Sequence, residues 1–67
     1  MSALARFLRV QTVMERTGLG RSTIYAMVAR GDFPQPIKLG PRASAWLEAE
    51  VDDWQQRRVD ASRSKAA

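Results

Sequence analysis

Two short apolar periods joined through a three-residue bend constrain this chain more than anything else in it. Val10, Val13 and Met14 recur at i, i+3 and i+4, and so do Ile24, Met27 and Val28. Each triplet is one face of a short amphipathic helix. The spacing predicts a first helix over Val10–Thr17 and a second over Arg21–Arg30. Between them stand only Gly18, Leu19 and Gly20. Gly18 occupies the place of a left-handed C-terminal cap, and Leu19 is an apolar plug between the two helices. So short a connection forces the helices to cross steeply, as in a helix-turn-helix unit. Either Gly20 or Ser22 caps the second helix, and Gly31 ends it.

Asp32–Pro36 cannot continue that helix, because Pro34 and Pro36 lie two residues apart. Ile37-Lys38-Leu39 alternates apolar and polar as a half-buried strand does, and Gly40-Pro41 is a turn signal. Ala43–Trp46 then returns as a second strand, giving a hairpin, or wing, with Lys38 and Arg42 near its tip. A third helix is expected over Leu47–Arg58, where Leu47, Val51 and Trp54 follow at i, i+4 and i+7. Its acids come first (Glu48, Glu50, Asp52, Asp53) and Arg57-Arg58 last, which complements the helix macrodipole. The expected organisation is a flexible N-terminus over 1–6, one domain over 7–58 in which Phe7-Leu8 forms a short extended segment, and a disordered basic tail over 59–67. The fold class is mainly α with a small β-hairpin, three helices plus a wing.

Sixty-seven residues allow one domain, and a chain this short buries only about 60% of its unfolded surface. It has neither cysteine nor histidine, which removes disulfides and the usual zinc ligands. No cofactor or metal is expected. No serine or carboxylate has a base at a catalytic spacing, so an enzyme is not expected either. No apolar run approaches a membrane span, and no apolar block follows Arg6 and Arg9 as a secretory signal would require. A cytoplasmic protein without membrane contact is the expectation. The formal net charge is +4, with a sequence pI near 10.7, and nine of the eleven basic residues are arginine. The arginine fork suits phosphates and guanine edges, so the balance favours an anionic partner, above all nucleic acid.

The second helix is the first candidate surface. Ser22, Thr23, Ala26 and Arg30 fall opposite its apolar side, with Arg21 and Tyr25 beside them, and no acid occurs between Glu15 and Asp32. Short side chains let a helix backbone approach base edges, while arginines at its ends reach bases or phosphates. The competing reading is a capped, solvated helix, since Ser and Thr favour helix starts in any case. Tyr25 either lies against the core edge or offers its hydroxyl to a phosphate. The wing is the second candidate: Lys38, Gly40 and Arg42 form a tip without acids, able to clamp a DNA backbone or enter a minor groove. The competing reading is a hairpin whose charges discourage edge pairing. Trp46, Trp54 and Phe33 sit on apolar periods and read as core rather than as stacking platforms. Arg57, Arg58, Arg63 and Lys65 read as a solvated helix end, with extra phosphate contacts as the other reading.

Thr17-Gly18-Leu19, Arg21-Ser22-Thr23-Ile24-Tyr25, the run from Gly31-Asp32-Phe33-Pro34-Gln35-Pro36 to Ile37-Lys38-Leu39-Gly40, Arg42-Ala43, Trp46 and Glu50-Val51-Asp52-Asp53-Trp54 together resemble the AlpA family of small phage and prophage regulators. That family belongs to the broader group of MerR-like and excisionase-like winged helix-turn-helix domains. The likeness covers about residues 7 to 58. It implies a DNA-binding regulator of a mobile element, acting on transcription or as an excisionase that sets the direction of recombination. It further implies that Arg21, Ser22, Thr23 and Tyr25 belong to a recognition helix in the major groove, and Lys38, Gly40 and Arg42 to the wing. Gly20 stands where the family usually has serine, and Ala26 where a basic residue is common.

The reading at this level is a sequence-specific binder of double-stranded DNA, working by contact rather than catalysis. An integrase or recombinase, or neighbouring copies of the chain on DNA, are further partners to consider. The alternative is a protein-interaction module that recruits an integrase or polymerase with minor DNA contact. An RNA-binding module is disfavoured because no exposed aromatic pair for stacking bases is evident. No heptad suggests a coiled-coil dimer, so a monomer is expected off DNA.

Overall fold

A computed structural model describes residues 6–66. The chain folds as β1 (Phe7–Leu8), α1 (Val10–Thr17), α2 (Arg21–Arg30), β2 (Ile37–Gly40), β3 (Ala43–Leu47) and α3 (Glu48–Ala66). The two expected helices have the bounds their apolar periods predict. Gly18 (φ 75°) and Gly31 (φ 80°) close them in the left-handed conformation that side chains disfavour. The Gly31 N–H donates to the Val28 carbonyl at 3.1 Å and the Asp32 N–H to that of Met27 at 2.8 Å, a Schellman closure that satisfies the last carbonyls of α2. At the end of α1 the Thr17 hydroxyl donates to the Val13 carbonyl (2.8 Å) and accepts from the Leu19 N–H (3.2 Å), so one side chain joins the helix to the bend. Gly20, not Ser22, is the N-cap of α2, and no side chain caps it.

The strands form one antiparallel sheet in the order β1-β3-β2. The central strand, β3, holds both others. Phe7 faces Leu47 and Leu8 faces Trp46, while Ile37 faces Ala45 and Lys38 faces Ser44. The architecture is thus three helices and a small three-stranded sheet, with the extended Phe7-Leu8 segment recruited as the third strand. One strand detail differs from the alternation. The register slips by one residue between Lys38 and Gly40, so Leu39 is the extra residue of a bulge and stands 46% exposed instead of half-buried.

Val13, Ile24, Met27, Phe33, Trp46 and Val51 form the core, with Leu8, Val10, Met14, Leu19, Val28 and Trp54 packed around it. Every element except β2 contributes, and the linker adds Phe33. Trp46 is wholly buried, and a ring of its size removes about 150–250 Å² from water, worth roughly 4–6 kcal/mol. Phe33 stands edge-on to Trp46 (centroids 6.2 Å apart) and to Trp54 (4.7 Å). The three aromatics are structural, as their periods implied.

The structure differs from expectation at the C-terminal end. Residues 59–66 are not a disordered tail but continue α3, because the stretch contains no Gly or Pro and is rich in residues that tolerate a helix. Gln56 also donates to Asp60 one turn on, at 3.1 Å. Of the expected flexible N-terminus, residues 1–5 lie outside the described residues, as does residue 67 of the tail. Arg6 is anchored: its carbonyl accepts the Glu48 N–H (2.8 Å) and its guanidinium meets the Glu48 carboxylate (3.3 Å).

Candidate nucleic-acid interface

An α-helix turns about 100° per residue, so the burial of Ile24, Met27 and Val28 fixes which side chains of α2 face outward. Opposite them runs a crest of Ser22, Ala26 and Ala29, all exposed and all small. Arg21 and Tyr25 flank it on one side, Thr23 and Arg30 on the other, and all four are exposed. Ala29 was not among the sequence candidates. Its i+7 spacing from Ser22 is the signal that places it on the same side.

Tyr25 lies against the core edge, the first of the two roles left open for it. Its ring packs on Trp46 of β3 at 5.8 Å between centroids, while the residue stays 41% exposed. Arg21, one turn earlier on the same side, therefore lies on the flank of α2 that faces the sheet. Arg30 stands apart from Arg21, at the far end of the helix, where it pairs with Asp32 at 3.0 Å. Both partners of that pair are exposed, so it is weak and exchangeable.

The wing carries Lys38 and Arg42 exposed, with the bulged Leu39 beside them and Gly40 half-buried opposite Ala43 at the turn. Its position relative to α2 is set by the six-residue linker of residues 31–36, which side chains tie down from three directions. The Trp46 indole N–H donates to the Pro34 carbonyl (2.8 Å), the Trp54 indole N–H to that of Asp32 (2.7 Å), and the Gln35 amide to that of Val28 (3.0 Å). An indole needs a partner when buried, and here each one fixes the connection between the two candidate surfaces.

The charges are sorted. Arg16 of α1 bonds both Glu48 (3.4 Å) and Asp52 of α3, and Asp53 pairs with Arg57 (3.0 Å). The acids of α3 are thus engaged mostly with cations away from the crest. Among the described residues no carboxylate pairs with Arg21, Lys38 or Arg42. An unpaired arginine, Arg21, beside a crest of small side chains suits a polyanion that a helix must approach closely. Among the described residues no helix is long and apolar enough to cross a membrane.

The family model described as "Prophage CP4-57 regulatory protein (AlpA)" matches residues 6–59. A protein of Enterobacteria phage P4, described as the uncharacterized ORF88, is 48% identical over 54 residues, which cover 81% of this chain and 61% of that protein. The DNA-binding transcriptional activator AlpA of Escherichia coli (strain K12) is 39% identical over 59 residues, covering 79% of this chain and 84% of the activator. The chain therefore spans less than two thirds of the phage relative it matches, and most of the activator.

Proposed function

This chain belongs to the AlpA family of phage regulatory proteins, and from that premise we propose that it binds double-stranded DNA sequence-specifically, with α2 in the major groove and the wing on the adjacent backbone or minor groove. The observation that carries the reading is the small crest of Ser22, Ala26 and Ala29 bordered by exposed Arg21, with Lys38 and Arg42 equally unpaired on the wing. A helix backbone can sit deep in a groove only where its outward side chains are short. The neighbouring cations then supply the phosphate contacts that dominate affinity. The protein acts by contact, as a transcriptional regulator or as an excisionase, in the cytoplasm where its DNA is. Arg21→Ala or Thr23→Ala should weaken binding to a selected site by about 1–3 kcal/mol while leaving the helical circular dichroism unchanged. Site selection from a random duplex library followed by titration of both variants tests this. Parent-like affinity in both would show that α2 is not the reading element.

A second reading has one observation in its favour: four acids crowd the first half of α3, a surface DNA would repel. On that reading the chain recruits a recombinase or polymerase and touches DNA little. A gel shift with random duplex set against a pull-down of the recombinase separates the two.

A further inference from the structure

An open groove of about 760 Å³ lies between the linker and α3. Its apolar lining includes Pro34, Pro36, Ile37 and Trp54, and its acids are Asp32, Glu50 and Asp53. Arg57 is the one basic residue along it, already paired with Asp53. None of the candidate DNA residues lines it. In a chain of net charge +4, this is an acidic-edged, apolar-floored depression that a nucleic acid would avoid.

The other unexplained feature is the far end of α3. Residues 59–64 are all exposed, Val59 at 40%, and none bonds to another element among the described residues. A helical end without tertiary packing has little to stabilise it, since most helical stability in proteins comes from burying one face. Val59 and Arg63 are one turn apart, so they share a face, with Ser62 between them. That face offers one apolar and one cationic group. From residue 57 onward the sequence has four basic residues and a single acid.

We propose that this groove receives the projecting end of α3 from a second copy of the chain. Val59 enters the apolar floor and Arg63 meets Glu50, which has no ion-pair partner among the described residues. The end cannot fill its own groove, because residues 49–57 of the same helix form one wall and the helix carries the last nine residues roughly 14 Å farther on. The two patches differ, so the contact is heterologous: each copy offers a free end and a free groove, and copies add in a row. The inference does not depend on the DNA reading and is tested without DNA.

The chain contains no cysteine, so every disulfide joins introduced positions. Copies bearing Ala49→Cys, on the groove wall, are mixed with copies bearing Ser62→Cys and oxidised with diamide. The control mixture pairs Ser62→Cys with Gln11→Cys, an exposed position on α1. The groove mixture should give several times the mixed dimer, one copy of each kind, that the control gives. Glu50→Lys on the groove copy should lower the excess by up to about fivefold, the worth of one exposed charge pair, and Arg63→Glu on the other copy should restore it. Val59→Glu on the extension should remove it. Equal yields from the two mixtures, or an excess that survives Val59→Glu, would overturn the proposal and leave the assignment of α2 untouched.

Discussion

Replacing Trp46 with phenylalanine isolates the bond that ties the linker to the sheet. The side chain is wholly buried and its indole N–H donates to the Pro34 carbonyl at 2.8 Å. Phenylalanine keeps an aromatic ring for Tyr25 and Phe33 but has no donor. Leaving that carbonyl without its partner costs about 1–3 kcal/mol. The smaller ring also gives up two or three buried carbon groups at about 0.8 kcal/mol each, only partly recovered by relaxation. Together these come to about 2–4 kcal/mol, below the roughly 3–5 of truncation to alanine. A domain of 67 residues has a total of only about 3–10 kcal/mol to lose. The melting temperature should therefore fall by roughly 10–25 °C, followed by circular dichroism at 222 nm. Trp54→Phe is the comparison. Its indole makes an equally short bond to the Asp32 carbonyl, but the residue is only partly buried and water can replace the donor. It should cost about 0.5–1.5 kcal/mol. If Trp46→Phe costs under about 1 kcal/mol, or no more than Trp54→Phe, the indole does not lock the linker and the reasoning fails.

Other outcomes follow from the caps and the wing. Gly20→Ser supplies the missing side-chain acceptor at the start of α2 and should raise stability by a few tenths of a kcal/mol in urea unfolding. Gly31→Ala should lower it by about 1–2 kcal/mol, because the left-handed φ of 80° strains any Cβ although the space around it is open. Lys38→Ala and Arg42→Ala should each reduce the slope of log affinity against log salt by about one while leaving base preference intact. An unchanged slope in both would remove the wing from the DNA contact.

Much of the fold was legible because its signals are local. The bounds of α1 and α2 follow from two apolar triplets and two glycines, and the hairpin from Pro36, Gly40 and Pro41. What stayed hidden depends on partners distant in sequence. Phe7-Leu8 has nothing to mark it as a paired strand except Trp46 and Leu47, far along the chain. The bulge at Leu39 is a matter of register between strands, which alternation within one strand cannot express. The outward side of α2 is legible in its helical period, which places Ser22 and Ala26 opposite Ile24 and Met27, while Ala29 extends that side one turn further. The continuation of α3 past Arg58 carries no apolar period, so nothing in its polar, basic sequence distinguishes a helix from a solvated coil.

The central place of β3 bears on how the protein comes off the ribosome. Until residues 43–47 have emerged, β1 and β2 each lack their neighbour, and the core that Val13 and Ile24 join lacks its largest buried side chain, Trp46. A nascent chain carrying only its first two helices gains almost nothing by assembling them, so folding waits for nearly the whole domain and then completes in one cooperative event. A premature stop codon before Trp46 should yield protease-sensitive fragments rather than a smaller working version.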